Sequence, residues 1–353
     1  MVSSTATSSP YTQLVLTNTV SSPTGNHAQA LALAASTFNI SSYIVMPKIS
    51  TPSKIAGTRL YTGNVIFSGS TSTEREAVTK TIIAEHGAIL VPPYDHPDIM
   101  LGQGTAALEL EEQFYEQVEQ QEQRQRQNPP SASEEGRGSK RSLNAVIAPL
   151  GGGGLLGGTA TWFSDQGATL VFGAEPSFEG ADDGRRGVLQ GRRIEHVKTL
   201  TIADGLRTPV GVANWAVISD TRKVEAIYSV SEADIKMAMR LVFERVKVVV
   251  EPSAAVPLAV LLFNNGFRDL VAARQAGMEI EEGSEGGGGG VWDVGVIFSG
   301  GNTTLKAISG LFGVEGENAV AGSGVEPEKG SDVKRAEGTV AADGSTTVED
   351  VAG

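Results

Sequence analysis

The chain has 353 residues, 40% of them hydrophobic, enough for about two domains with a sizeable core. It has no cysteine, so a disulfide framework, a thiolate zinc site and a cysteine nucleophile are excluded. The formal net charge is −13, but nine acids against three bases lie from Phe312 onward, and Glu279, Glu281, Glu282 and Glu285 cluster in one stretch. The remainder is close to neutral and lacks the basic footprint that a nucleic-acid groove needs.

The N-terminal stretch "MVSSTATSSPYTQLVLTNTV" is rich in Ser and Thr and has no Lys or Arg. It lacks the charged region of a secretory signal and the arginines of a transit peptide, so a cytoplasmic location is expected. No apolar run approaches the roughly 18–20 residues of a membrane span. The four histidines lie far apart, which disfavours a histidine metal site.

In chain order, "SYIVMP" (Ser42–Pro47), "GNVIFSG" (Gly63–Gly69), "GAILVPP" (Gly87–Pro93), "NAVIAPL" (Asn144–Leu150), "ATLVFGAEP" (Ala168–Pro176) and "VGVIFSGG" (Val294–Gly301) read as buried strands. Between them "HAQALALAAS", "STEREAVTKTIIAEH", "SEADIKMAMRLVFERV" and "PSAAVPLAVLLFNNG" carry helical periodicity. Strands alternating with helices predict an α/β protein with mostly parallel sheets. The expected division is an unmatched N-terminus (1–11), a smaller α/β domain (12–112), a low-complexity insertion (113–142), a larger α/β domain (143–311) and a disordered acidic tail (312–353). The insertion begins as a polar helix extension and ends as a Pro/Ser/Gly linker. Within the larger domain, 279–290 reads as an acidic, glycine-rich loop.

The stretch "NAVIAPLGGGGLLGG" places four glycines between a strand and a helix. Free N–H groups at a helix start converge on one spot, and missing Cβ atoms let the backbone approach a phosphate. A plain tight turn is the bland alternative. A nucleotide P-loop is excluded, because no Lys-Ser/Thr follows. Gly152, Gly154 and Gly157 fit the dinucleotide pattern GxGxxG, with Glu175 at the end of the next strand, so that reading stays open as a weaker alternative.

Five motifs occur in one order: "TGNHAQALALAAS" (Thr24–Ser36), "PLGGGGLLGG" (Pro149–Gly158), "ADGLRTPVG" (Ala203–Gly211), "VVVEPSAAVPLAVLL" (Val248–Leu262) and "VIFSGGN" (Val296–Asn302). Together they resemble the serine racemase and serine/threonine dehydratase family, pyridoxal-phosphate enzymes of the fold-type II, tryptophan synthase β-like class. The resemblance implies two open, twisted, mostly parallel sheets with helices on both faces, a small amino-acid substrate and no membrane or nucleic-acid partner; it allows a homodimer. It implies that Gly151, Gly152, Gly153 and Gly154 cradle the cofactor phosphate, that Ser299 meets the pyridine nitrogen and that Asn26 meets the phenolic oxygen. Thr24, Gly25, Asn26 and His27 would hold the substrate carboxylate, and Thr24 would be an acid/base candidate. His27 reads equally as an ordinary first-turn residue, and Ser299 as a turn serine. A Mg²⁺ or Ca²⁺ site is implied at Glu175, the Ala181 carbonyl and Asp183, oxygen ligands suited to a hard cation, with a solvated acidic loop as the alternative.

One family feature has no counterpart. The Schiff-base lysine lies upstream of the GNH motif in these enzymes, whereas the first lysine here is Lys48. Three expectations compete: a truncated enzyme, favoured by the abrupt loss of a whole segment; an inactive binding protein; or substitution by a partner chain or another lysine. Thr24, where racemases carry a serine, tilts the expected reaction towards an ammonia-lyase, with racemisation second.

Overall fold

The computed structural model describes residues 18–21, 25–127, 141–165, 169–282 and 291–313. Outside these lie residues 1–17, 22–24, 128–140, 166–168, 283–290 and 314–353, Thr24 among them.

The first sheet holds β1 (Asn18–Ser21), β2 (Ser41–Pro47), β3 (Val65–Ser68) and β4 (Ile89–Leu90), all parallel in the order β3-β2-β1-β4. Helices α1 (Asn26–Thr37), α2 (Pro52–Arg59) and α3 (Ser72–His86) connect them. Helix α1 is rich in alanine, the strongest helix former, and Ala28, Ala32 and Ala35 recur on its buried face. Ala28 and Ala32 pack with Ile44, Met46 and Ile55 on one face of the sheet. Ile82 of α3 packs with Val20 and Val45 on the other. The bounds of α3 follow from local chemistry: Thr71 and Glu74 form a reciprocal capping box, and Gly87 ends the helix in the left-handed region.

Helix α4 (Pro97–Gln127) leads to the second sheet. There β5 (Leu143–Pro149), α5 (Gly154–Ser164), β6 (Leu170–Pro176), α6 (Asp183–Gln190), α7 (Val212–Ile218) and β7 (Ala226–Val230) follow in order. The chain continues through α8 (Glu232–Leu241), α9 (Pro252–Phe263), α10 (Asn265–Glu282), β8 (Asp293–Val296) and α11 (Leu305–Phe312). The strands are parallel in the order β7-β6-β5-β8. Both faces are covered: Ala145, Ile147 and Phe172 point to α8, α9 and Phe267, whereas Val146, Ala148 and Val171 point to Ala107 of α4, Leu156 and Phe163 of α5 and Ile218 of α7. Burial on both faces explains why these strands read as continuous apolar runs.

Three differences from the sequence reading have physical causes. β1 is a four-residue, half-polar strand, "NTVS", extended only because β2 and β4 flank it. β7, "AIYSV", alternates too little to stand out as a strand and is placed by β6. Helix α10 runs to Glu282, into the stretch read as an acidic loop, because glutamates sustain a helix until the glycines begin. Among the described residues no single helix is long and apolar enough to cross a membrane.

Each sheet reverses its strand order once. In the first, β1 has β2 on one side and β4 on the other; in the second, β5 lies between β6 and β8. Ligands of open parallel sheets bind beyond the carboxyl ends of strands at such reversals. Gly25 follows β1, Tyr94 follows β4, Gly151 follows β5 and Ser299 follows β8.

Candidate active site

The glycine loop leaves β5 and enters α5 as the sequence pattern requires. Gly153, at φ +95°, sets the first turn of α5 and has no side chain with which to cap it. The amides from Gly151 to Leu156 have no acceptor among the described residues, although Gly151, Gly153, Gly154 and Leu156 are buried. Buried N–H groups left without partners cost free energy comparable to a lost hydrogen bond. Here they form a cradle with positive helix-end polarity, suited to a phosphate.

The other face of the loop is pinned. Asn214 Nδ2 donates to the Gly152 carbonyl at 2.7 Å and the Tyr94 carbonyl at 3.1 Å. The Tyr94 ring lies against Gly152, leaving no room for a β-carbon there. Asp95 accepts from the amides of Val212 and Ala213 at 2.9 and 2.8 Å, at the start of α7. These contacts join the loop after β4 to the loop after β5, so the reversal points of both sheets face one crevice.

The second side of the crevice is built by α1. Gly25, at φ +136°, turns the chain into the helix, and the amides of Asn26, His27 and Ala28 have no acceptor among the described residues. Asn26 Nδ2 donates to Glu251 Oε1 at 2.7 Å, and Asn302 Nδ2 donates to Asn26 Oδ1 at 2.9 Å. Asn302 belongs to the same "SGGN" turn as Ser299, which is exposed beyond β8. Lys54 crosses Gly25, where a Cβ would come within 2.7 Å of Lys54 Cδ, and its Nζ pairs with Asp204 at 2.7 Å. A Cβ on Gly151 would meet Gly205 O at 3.1 Å and Leu206 Cα at 3.0 Å. The glycine loop, the Ala203–Leu206 turn, Lys54, the GNH loop and the SGGN turn therefore follow one another by contact around the crevice.

The structure thus groups Gly25, Asn26, His27, Gly151–Gly154 and Ser299 at the carboxyl ends of the two sheets. Thr24 is outside the described residues. Glu175 and Asp183 lie at the end of β6 and the start of α6. The carboxylate of Glu175 accepts from the Gly184 and Arg185 amides at 2.8 and 2.9 Å, and Asp183 accepts from the Val210 amide at 3.0 Å. Burial, then the Asp183 charge, raises the Glu175 carboxyl well above its usual range. Burial also pushes Asp183 up to about 6, against the Val210 hydrogen bond. Ala181 is buried beside them. Among the described residues no cluster of three or more His, Asp or Glu side chains forms a metal centre.

Sequence reasoning assigned no role to Tyr94, Asn214, Lys54, Asp204, Glu251 or Asn302. The motifs that held the last three were on view, as "ADGLR", "VVVEPS" and "SGGN". Their partners are too far away in sequence to be read from spacing. Glu251 is 3% exposed; burial raises its pKa, as does the charge of Asp204, while the Asn26 bond and Lys54 oppose this. A cavity of about 450 Å³ lined by Met239, Phe243, Val249 and Ile308 is mainly apolar, and the charged side chains on its wall, Arg240 and Glu244, are paired with each other.

This fold and crevice define a parallel α/β protein of two sheets, with a glycine loop of acceptorless amides at the strand-order reversal of the second. The family model described as pyridoxal-phosphate dependent enzyme matches residues 16–275, and the chain belongs to that family. It is 34% identical over 294 residues to a serine racemase of Arabidopsis thaliana, covering 83% of this chain and 75% of that one. It is 35% identical over 291 residues to an L-threo-3-hydroxyaspartate ammonia-lyase of Saccharomyces cerevisiae, covering 82% and 73%. The solved structure of maize serine racemase superimposes with a TM-score of 0.65 at 31% identity, covering 84% of this chain and 76% of that one. The expected fold class, fold-type II with helices on both faces of two parallel sheets, is therefore the observed one.

His27 carries a pH consequence. Its Nε2 is buried without a partner, and burial holds its pKa below the ordinary 6.5, opposed by the Val91 backbone carbonyl, which accepts from the ring. As pH falls through the ordinary value, the unfolded chain takes up this proton before the folded one does, so His27 subtracts stability in acid. His27→Gln is expected to flatten the fall in Tm between about pH 7 and about pH 5. An unaltered slope would place the acid sensitivity elsewhere.

Proposed function

We propose that this crevice is a pyridoxal-phosphate site of ammonia-lyase type for a small β-hydroxy amino acid such as serine, threonine or 3-hydroxyaspartate, with serine racemisation second. The observation that carries it is the row of acceptorless amides from Gly151 to Leu156, aimed into a crevice that Asn26 and the SGGN turn also border. The cofactor, when bound, supplies an electron sink that acidifies the substrate Cα–H. The protein's part is positional. The Gly151–Gly154 amides hold the phosphate, Asn26 offers an N–H to the phenolic oxygen, and the Ser299 hydroxyl meets the pyridine nitrogen. The amides of Gly25, Asn26 and His27 hold the substrate carboxylate. At position 24 a threonine stands where racemases carry a serine, and its extra methyl group favours elimination over racemisation. The domain division at 12–112 and 143–311, and a cytoplasmic location, belong to this same reading.

None of the described lysines is given the anchoring role in this reading. Lys54, which lies against Gly25, is spent on Asp204 at 2.7 Å. The chain on its own is expected to bind pyridoxal 5′-phosphate without a covalent link and to release no ammonia from L-serine, L-threonine or L-threo-3-hydroxyaspartate. Absorbance titration, borohydride reduction with peptide mapping and an ammonia assay check this. No binding at all would sink the site; a reduced pyridoxyl-lysine together with turnover would sink the anchoring statement alone.

In the same reading Glu175, the Ala181 carbonyl and Asp183 would hold a Mg²⁺ or Ca²⁺ ion, whose charge would favour the ionised form of two carboxyls that burial pushes up. A cation at a hundredfold excess over its dissociation constant adds about 2.7 kcal/mol, several degrees of Tm. Asp183→Asn is expected to abolish that rise. A rise of equal size in the variant would remove the cation from this position.

A further inference from the structure

Glu251 is the point on which the loops of the crevice converge. It starts α9 in an extended conformation, φ −79° and ψ 160°, yet its side chain makes no capping bond to that helix. Ser, Thr, Asp and Asn serve that position well, and glutamate is not among the preferred residues. Burying a carboxylate costs several kcal/mol unless it is paired and hydrogen-bonded. The local helix gives no return for that cost, so the return lies in what the carboxylate touches.

It touches the opposite sheet's loop. Oε1 accepts from Asn26 Nδ2 across 225 positions of sequence, at 2.7 Å. The Asn302 backbone amide lies close enough to the same carboxylate to favour its charged form. The Glu251 amide donates to the Gly300 carbonyl at 3.1 Å, which ties α9 to the SGGN turn. Asn302 Nδ2 completes the circuit at Asn26 Oδ1, 2.9 Å away. The Asn26 side chain therefore has its oxygen taken by Asn302 and one N–H taken by Glu251, and one N–H remains. The charged groups around Glu251 are Asp204 and Lys54, themselves an ion pair at 2.7 Å.

We propose that Glu251 is the positioning residue for Asn26: it fixes which way the amide points and delivers the remaining N–H to the ligand crevice. Because Glu251 starts α9, which packs on the second sheet, and Asn26 starts α1 after β1, Asn26 is set only when the loops of the two sheets are engaged. The identity of the ligand rests on the pyridoxal-phosphate reading above; the orientation of Asn26 does not.

The test uses the full chain with Glu251→Ala, Glu251→Gln, Asn26→Ala and the Asn26→Ala/Glu251→Ala pair. Without ligand, hydrogen exchange is followed in the α1 amides Gln29–Ala32 and, as a remote control, in α3. Glu251→Ala is expected to speed α1 exchange about tenfold, equivalent to about 1.4 kcal/mol, with α3 unchanged. Asn26→Ala should match it, the pair should add nothing further, and Glu251→Gln should recover most of the protection because its amide oxygen still accepts from Asn26. With pyridoxal 5′-phosphate, each single alanine should weaken binding about tenfold, and the pair tenfold rather than a hundredfold. Independent, multiplying losses, or α1 exchange unmoved by Glu251→Ala, overturn the proposal. If Glu251→Ala does not fold, Asn26→Ala and Glu251→Gln decide it: Asn26→Ala without effect on α1 overturns it. A wild-type chain that binds no cofactor would defeat the site reading, and the exchange measurements would still judge Glu251.

Discussion

Gly158→Ala is expected to unfold the protein at markedly lower urea than the parent, a loss of about 3 kcal/mol or more, while Gly102→Ala leaves it equal or up to about 1 kcal/mol more stable. Both glycines sit inside helices, where glycine alone costs roughly 0.5–1 kcal/mol relative to alanine. The difference lies in what faces them. A Cβ on Gly102 meets nothing within 4 Å. One on Gly158 of α5 would strike the Met100 carbonyl and lie 2.5 Å from the Gly104 amide nitrogen of α4. The contact is reciprocal, since a Cβ on Gly104 would lie 2.9 Å from the Gly158 carbonyl oxygen. Backbone cannot rotate away as a side chain can, so α4 and α5 must separate along their length. That separation opens Ala107, Leu156, Ala160 and Phe163, all in one buried cluster. Against a total stability of about 5–15 kcal/mol, such a loss removes much of the margin. Equal urea midpoints for parent and Gly158→Ala would show that the helices are not in backbone contact.

Much of this fold is legible because its signals are local. The capping box at Thr71 and the glycine at 87 bound α3 without help from tertiary structure, and the four glycines between β5 and α5 announce a bare backbone. β1 and β7 are not legible, because four or five mixed residues become a strand only when neighbours supply the ladder. The crevice divides in the same way. Gly151–Gly154 can be found from strand, loop and helix order. Glu251 cannot, because "VVVEPS" reads as an ordinary helix start, and only the fold reveals that its carboxylate serves Asn26 on the other sheet. Asn26 and Asn302 are 276 positions apart and touch through side chains that no periodicity reports. Lys54 resembles any solvated helix lysine until Gly25 is seen beneath it.

Gly153→Ala is expected to weaken pyridoxal 5′-phosphate binding by about tenfold to a hundredfold, or about 1.4–2.8 kcal/mol. Gly153 holds φ +95°, a conformation that costs an L-residue roughly 1–2 kcal/mol. A Cβ there would also lie 2.7 Å from Ile218 Cδ1 and 3.0 Å from Asn214 Cβ. Ile218 can yield at its tip. Asn214 cannot yield without loosening its bonds to the carbonyls of Gly152 and Tyr94. Relief therefore comes from turning the peptide planes on either side of residue 153, which swings the amides of the cradle off their common target. One charge-assisted hydrogen bond is worth about 1.5–3 kcal/mol, so misaiming a single amide accounts for the expected loss. Pyridoxal, which shares the ring but lacks the phosphate, separates this cause from general damage. Its affinity should be nearly the same for parent and variant, so the advantage of the phosphorylated form shrinks in Gly153→Ala. If both ligands weaken in proportion, the glycine loop shapes the crevice without holding the phosphate, and the assignment of Gly151–Gly154 fails.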